Sequence, residues 1–203
     1  MQGHEDGAWL TSPARLEAFS DAVMAIAITL LVLEVKVPHL PDGASGMDAL
    51  HALGGLAPKL ISYLLAFFFI AVFWTNHHQF LRRVRHVDHR LLWLNMLFLL
   101  SVSFVPFPTA VAGEYPWNPV SLLFFSSVLM LAGIAMYSMR LHALRSGLFD
   151  ARVGADAVHR AARRGLAGIV LYAVAGALGF VQPLASWVLF FAIPLLYVRQ
   201  RSD

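Results

Sequence analysis

The chain has 203 residues, of which 59% are hydrophobic and 13% are charged, and its mean hydropathy is +0.67. A typical soluble domain carries about 25% charged residues, so this composition excludes a soluble enzyme or binding module and indicates an integral membrane protein. The chain has no cysteine, which also excludes disulfides and thiolate metal sites.

Six apolar runs are long enough to cross a bilayer, which takes about 20 helical residues. The first follows Ser12, a predicted N-cap, and begins with Pro13; the fourth follows Asn118 in the same way. The last two are separated only by Gln182 and Pro183, which favours a helical hairpin. The sequence therefore predicts an all-α polytopic membrane protein with a single six-helix domain. Within residues 1–203 the predicted spans are about 13–37, 58–81, 91–112, 119–140, 165–181 and 184–198.

The positive charges fall almost entirely on one side of the predicted membrane. Of the fifteen Lys and Arg residues, only Lys36 and Lys59 lie on the other side. The positive-inside rule then predicts that both termini are cytoplasmic. The net charge of +3 reflects this orientation and contact with anionic lipids, so no nucleic-acid partner is expected. The arginines on the cytoplasmic side are Arg15, Arg82, Arg83, Arg85, Arg90, Arg140, Arg145, Arg152, Arg160, Arg163, Arg164, Arg199 and Arg201.

Two further segments carry local signals of helix starts and ends. The stretch from Ser45 to Asp48, "SGMD", resembles a capping box and is followed by apolar residues at helical spacing. It predicts a short helix on the outer membrane interface. Pro106 and Pro108 lie near the outer end of the third run, where they predict the exit of that helix.

The head of the first run is unusually polar for a membrane helix. Arg15, Glu17, Ser20 and Asp21 fall within seven residues, and Asp21 lies about 12 Å along the helix from its start. A carboxylate at this depth costs a few kcal/mol unless it meets water or protein. Either Asp21 is hydrated at headgroup depth, or it has polar partners at the end of the second run. The candidate partners there are Trp74, Asn76 and His77.

Two stripes follow along the first run. Small residues four, three and four positions apart would let another helix approach closely. An apolar stripe with the same spacing lies on the neighbouring face, and spacing alone does not decide whether that stripe meets lipid or lines a pore. The small stripe is Ala18, Ala22, Ala25 and Thr29, and the apolar stripe is Ile26, Leu30, Leu33 and Val37.

A histidine cluster raises the alternative of a membrane metalloenzyme. Four histidines lie at the end of the second run and in the loop that follows it, but only Asp88 offers a nearby carboxylate, and three arginines among them would repel a cation. The sequence therefore predicts no metal. The histidines are His77, His78, His86 and His89.

The head of the first run resembles the signature of the transmembrane protein 175 family, the lysosomal potassium channels of animals and their bacterial relatives. The matching pattern, Arg-x-x-x-Phe-Ser-Asp, is formed by Arg15, Phe19, Ser20 and Asp21. The resemblance extends over all six runs and implies a homotetramer in a bacterial inner membrane. Supporting positions in the family's order are Trp74, His77, Asn95, Phe104 and Pro106.

The resemblance implies a potassium-permeable channel that is not an enzyme, needs no cofactor and has no carbonyl selectivity filter. The first helix of each subunit would line the pore, with Ile26 as the apolar ring nearest the motif and Leu30 and Leu33 further out. Thr29 would add a layer of hydroxyls. Where animal members carry a serine before the isoleucine, this chain has Ala25. The motif residues would hold the pore helix in place through Trp74, Asn76, His77 and Asn95.

A small proton-coupled secondary transporter is the main alternative to a channel. Asp21 and His77 would then carry the coupled proton. A carrier saturates with substrate, whereas a channel gives unitary current steps, so the two functions differ in a direct measurement.

Overall fold

The computed structural model describes residues 11–199; Arg201, which enters the charge argument, lies outside them. Within this range the chain is helical, and its only extended pairings are two isolated bridges. Five helical segments are long and apolar enough to cross a bilayer, and Pro183–Tyr197 forms a shorter apolar helix. The predicted all-α polytopic class is confirmed. The elements are α1 Pro13–Leu30, a 3-10 helix Leu31–Glu34, α2 Gly46–Gly54, α3 Ala57–Leu81, α4 His89–Phe104, α5 Pro106–Glu114, α6 Pro119–Arg145, α7 Ala155–Leu178 and α8 Pro183–Arg199.

The predicted helix starts are confirmed by their caps. The side chain of Ser12 accepts a hydrogen bond from the backbone N–H of Arg15, and that of Asn118 accepts one from Val120. Both satisfy a donor that the first helical turn leaves without a partner. The capping box from Ser45 to Asp48 is also present, with reciprocal bonds at the start of α2.

Two helix boundaries differ from those of the predicted runs. The helix exit expected at Pro106 and Pro108 is a break at Val105, after which α5 continues to Glu114. Proline has no backbone N–H, so it interrupts one helix but suits the first position of the next. The fifth run was expected from residue 165, but its helix, α7, already begins at Ala155. The first turns of α7 are helical, but they are too basic for hydropathy to assign them to a membrane span.

The core of the chain is an aromatic cluster at the meeting of α3, α6, α7 and α8. The ring of Phe69 lies 5.5 Å from that of Tyr172, 6.0 Å from Phe125 and 6.3 Å from Phe190, measured between centroids. α1 lies outside this cluster and packs against α3 and α4. It buries one narrow face, flanked by partly buried residues such as Val23 and Ile28, and its opposite face is left uncovered by the chain. The buried residues of this face are Leu16, Ser20, Met24 and Ala27, and Leu31 continues it in the 3-10 helix.

The motif of α1 lies at one end of the bundle, which we call the motif end. The loop between α3 and α4 and the loop between α6 and α7 are paired there. The N–H of Arg85 donates to the carbonyl of Leu148 at 2.8 Å, and the N–H of Asp150 donates to that of Arg83 at 2.9 Å. The ends of α3 and α6 are therefore held together beside the start of α1.

Replacing Gly176 by alanine is expected to destabilise the contact between α6 and α7. A Cβ at Gly176 would lie 2.7 Å from Oγ of Ser126, whose hydroxyl already donates to the carbonyl of Tyr172. Overpacking of this kind costs about 1–3 kcal/mol. Thermal unfolding of purified protein in detergent should show a lower Tm for this variant. Gly46→Ala is the control, since a Cβ there meets nothing within 4 Å; equal melting of the two variants would contradict the expectation.

Asp88 should make the stability of the motif end depend on pH in the acidic range. Its carboxylate caps α4 by accepting the N–H of Leu91 and also lies 2.8 Å from Nε2 of His142. Partial burial raises the pKa of Asp88, but the hydrogen bonds together lower it by more than burial raises it. The pKa of Asp88 is therefore below its ordinary value of 3.8. A depressed carboxyl pKa stabilises the fold above the unfolded value and loses that contribution as pH falls through the folded one.

The measurement compares wild type with Asp88→Asn across pH. The wild type should melt higher at neutral pH, and the difference in Tm should shrink as the pH falls below 3.8. A difference that stays constant over this window would show that the charge of Asp88 contributes nothing.

Candidate functional site

A buried chain of hydrogen bonds joins α1 to α4 and α3. Oγ of Ser20 donates to the carbonyl of Leu16 at 2.7 Å, so it can accept the bond from Nδ2 of Asn95 at 3.0 Å. Oδ1 of Asn95 then accepts from Nε2 of His77 at 2.7 Å. The ring of His77 also stacks on that of Phe98, with centroids 5.0 Å apart. Ser20, His77 and Asn95 are fully buried, and this network fixes the distance of α1 from two neighbouring helices.

A second layer of contacts lies beside this network and is more exposed. Nε1 of Trp74 donates to Oδ1 of Asp21 at 2.9 Å, and Trp74 stacks on His78. Nδ1 of His78 lies 2.6 Å from Oε1 of Glu17. Asp21 therefore has a protein partner from the end of the second span. This agrees with the alternative that gave Asp21 polar partners there, rather than with simple hydration at headgroup depth. Glu17 and His78 were not among the predicted site residues, although Glu17 is one turn before Asp21.

Three of the predicted motif residues take no part in these bonds. Asn76 points elsewhere: its Nδ2 donates to the carbonyl of Val72, and its Oδ1 accepts from Nη2 of Arg140 at 3.4 Å. The side chain of Arg15 is exposed and forms no hydrogen bond or ion pair with residues 11–199. Phe19 is also exposed. The structure of the single chain thus brings together Ser20, Asp21 and their partners, but not these three.

The grouping of possible metal ligands differs from the histidine cluster considered from sequence. Across residues 11–199, the one such group is Glu17, Asp21 and His78, whose ligand atoms lie within 4.8 Å of one another. Carboxylate and imidazole donors suit a divalent transition metal. His89 is instead engaged by Trp93, whose Nε1 lies 3.0 Å from Nε2 of His89. Sequence spacing could not reveal the group, because its members come from two helices.

The predicted pore residues lie on the uncovered face of α1 and its 3-10 extension. The exposed fractions are 58% for Ile26, 43% for Leu30 and 68% for Leu33. Thr29 is also exposed, and its hydroxyl donates to the carbonyl of Ile26 at 2.9 Å. Because the proton of this hydroxyl is engaged, the oxygen can turn its lone pairs outward, as binding of a cation requires.

Comparison with known proteins identifies the family. The family model described as the endosomal/lysosomal potassium channel TMEM175 matches residues 15–106, which include both layers of contacts. A potassium channel of Streptomyces collinus is 40% identical over 178 residues, covering 85% of each chain. The chain belongs to the TMEM175 family. It is therefore a member of a channel family and not an enzyme.

Two further TMEM175 relatives extend the comparison. The crystal structure of a lysosomal potassium-selective channel TMEM175 homolog from Chamaesiphon minutus superimposes with a TM-score of 0.82 at 32% identity. It covers 93% of this chain and 97% of that chain, so the helical fold is shared throughout. A zebrafish relative, called an endosomal/lysosomal proton channel, is 27% identical over 123 residues, covering 61% of this chain and 23% of its own length.

Proposed function

We propose that this chain forms a potassium-permeable channel as a homotetramer, with α1 of each subunit lining a central pore. Two of the relatives are named as potassium channels or potassium-selective channels, and both match over most of their length. The observation that carries the proposal is the uncovered face of α1. It presents Ile26, Leu30 and Leu33 outward from the first helix, and repetition around a four-fold axis would bring these residues to a common centre.

The proposed gate is a stack of apolar rings without a carbonyl filter. α1 is an unbroken helix from Pro13 to Leu30, so its carbonyls are engaged in the helix and cannot replace the water of an ion. Rings of Ile26 and Leu30 would close a narrow tube by excluding water, since a cation cannot shed its hydration shell against hydrocarbon. Thr29 would offer the ion hydroxyl oxygens between these rings. Tilting or rotation of α1 would open the path.

The buried network would serve to position the pore helix. Ser20 reaches Asn95 on α4, and through it His77 on α3, while Asp21 is held by Trp74. These bonds lie on the side of α1 opposite to the proposed pore face, so they orient the helix without touching the ion. Their loss should therefore affect assembly more than selectivity.

We also propose that both termini are cytoplasmic, in a bacterial inner membrane, and that the chain is one membrane domain of six spans. The charge asymmetry supports this orientation, since Lys36 and Lys59 are the only Lys or Arg residues within residues 11–199 that lie away from the motif end. The motif end would then face the cytoplasm. Membrane lipids and the other three subunits are the expected partners, and potassium the permeant ion, with no cofactor.

A proton-carrying function is the second candidate, because one buried nitrogen is left without a partner. Nδ1 of His77 forms no hydrogen bond in the part of the chain that the structure describes. A neutral imidazole with a free nitrogen can accept a proton, and Asp21 follows Ser20 directly in the chain, in the layer of contacts beside the buried network. The proton-channel name of the zebrafish relative motivates the same test.

Recording from purified protein in planar bilayers tests the proposal. At equal pH on both sides, a potassium gradient should give discrete current steps that reverse near the potassium potential. Without a potassium gradient, a pH gradient should leave the reversal potential close to zero. Reversal that follows the pH gradient would favour proton transport through His77. Flux that saturates and never resolves into steps, from a sample of tetrameric size, would favour the carrier.

A further inference from the structure

A cavity of about 420 Å³ lies between α3 and α7, with α6 and α8 forming its other walls. α3 and α7 touch in the middle of the bundle, where the ring of Tyr172 lies between Phe69 and Phe73. From that contact toward the motif end the cavity separates the two helices, and it is partly open to the surroundings. It does not include the exposed face of α1, so it is separate from the proposed pore.

The cavity changes in character along its length. Near the middle of the bundle its lining is apolar, with Phe68, Gly133 and Tyr172. At the motif end the lining is cationic, with one arginine from α6, two from α7 and one from the loop that follows α3. These four residues are Arg140, Arg160, Arg164 and Arg83.

Arg140 is the unusual member of this group. Its residue is only 7% exposed, and it lies five residues before the end of α6, about 7.5 Å along the helix. Within residues 11–199 its guanidinium bonds only to neutral oxygens, the carbonyl of Ala161 at 3.3 Å and Oδ1 of Asn76 at 3.4 Å. Gly165 gives it room, since a Cβ there would lie 3.2 Å from Nη1. The side chain is thus held inside the cavity wall.

No carboxylate balances these charges within residues 11–199. The ion pairs of the described chain are Lys59 with Glu114, His78 with Glu17 and His142 with Asp88, and none of them involves the four arginines. Arg83 and Arg164 are close enough to Arg140 for their like charges to act on it. Burial of an unpaired charge is costly, so a buried guanidinium without an acidic partner favours a counter-charge supplied from outside the chain.

We propose that this cavity binds the phosphate group of an anionic phospholipid. Planar guanidinium groups bind phosphate through paired hydrogen bonds, and the apolar half of the cavity suits the start of an acyl chain. The partly open side would let the rest of the lipid remain in the bilayer. A soluble phosphate ligand would use the arginines but would leave the apolar half unfilled. Binding does not depend on α1 forming a pore; the proposed orientation only places the lipid in the cytoplasmic leaflet.

The test counts bound lipids on the delipidated full-length protein by native mass spectrometry. The protein is titrated with phosphatidylglycerol and, separately, with phosphatidylcholine carrying the same acyl chains. The cavity variants are Arg140→Gln and the double variant of Arg160→Gln with Arg164→Gln. The double variant alters only exposed side chains, which covers the case in which loss of Arg140 prevents folding. The matched control, Arg82→Gln with Arg145→Gln, removes two exposed charges outside the cavity lining.

Wild type should bind phosphatidylglycerol at least about tenfold more tightly than phosphatidylcholine, since each nearby arginine contributes to attraction of an anionic lipid. The double cavity variant should lose most of this preference, and the control should keep it. Equal binding of the two lipids by wild type, or equal loss in the control, would overturn the proposal. Inorganic phosphate and glycerol phosphate form a further arm. Displacement of the lipid by either at concentrations comparable to its own would overturn the assignment to a lipid in favour of a soluble ligand.

Discussion

Replacing Ile26 by alanine should raise the single-channel open probability, the conductance, or both, by roughly tenfold. Each Ile26 side chain loses three carbons, and burial of one CH₂ is worth about 0.8 kcal/mol. In the proposed pore, removing them from every subunit would widen the tube at the ring nearest the motif and lower the cost of admitting water. Because Ile26 is 58% exposed in the single chain, the change should leave the Tm of the subunit almost unaltered.

The control for this experiment is Leu131→Ala on α6, which truncates a residue that is similarly exposed at 54% but far from α1 in sequence. Its currents should match those of wild type. Unchanged currents in the Ile26 variant, from protein of wild-type size and stability, would contradict a gate at this ring. The apolar stripe would then be a surface for lipid or for helix packing.

Replacing Asn95 by leucine should prevent most of the protein from reaching its assembled form. Asn95 donates to Ser20 and accepts from His77, so the change leaves the Nε2 hydrogen of His77 and a lone pair of Ser20 without partners. Each buried polar group left unsatisfied costs about 1–3 kcal/mol, a large part of the stability of an ordinary domain. Size-exclusion chromatography and thermal unfolding in detergent would measure the loss.

Ser101→Ala is the matched control for Asn95→Leu. Ser101 is also buried on α4, but its hydroxyl bonds only to the carbonyl of Leu97 in its own helix. Removing it should cost little, because no other helix loses a partner. If Asn95→Leu assembles and melts like this control, the network does not position α1. If it assembles normally but conducts with altered selectivity, Asn95 acts on the ion path and not on the position of the helix.

Sequence predicted the local features of the fold better than its long-range ones. The caps at Ser12 and Asn118 are signals contained within a few residues, and the structure has both. The prolines after Val105 were interpreted as the end of the third helix. A proline indicates that one helix is interrupted, but it does not indicate whether another begins. The early start of α7 was missed because hydropathy identifies the apolar residues that lie in the bilayer, and a helix can extend beyond them.

The candidate site divides in the same way. The polar cluster around Ser20 and Asp21 was visible because polar residues are rare in membrane helices. That Ser20 meets Asn95, and that Asn76 turns toward Arg140, depends on how α1, α3 and α4 are rotated about their axes. All three helices have apolar residues on every side, so no amphipathic pattern fixes that rotation from sequence.

The narrow buried face of α1 has a consequence for how such channels change over evolutionary time. The residues that tie α1 to its own subunit, such as Ser20 and Met24, are different from those that it leaves outward, such as Ile26 and Leu30. Substitutions on the outward face therefore carry almost no penalty in folding of the subunit. In the proposed pore, mutations on this face would change conductance and ion preference while the scaffold stays intact, so relatives with one common fold would differ in the ions that they pass.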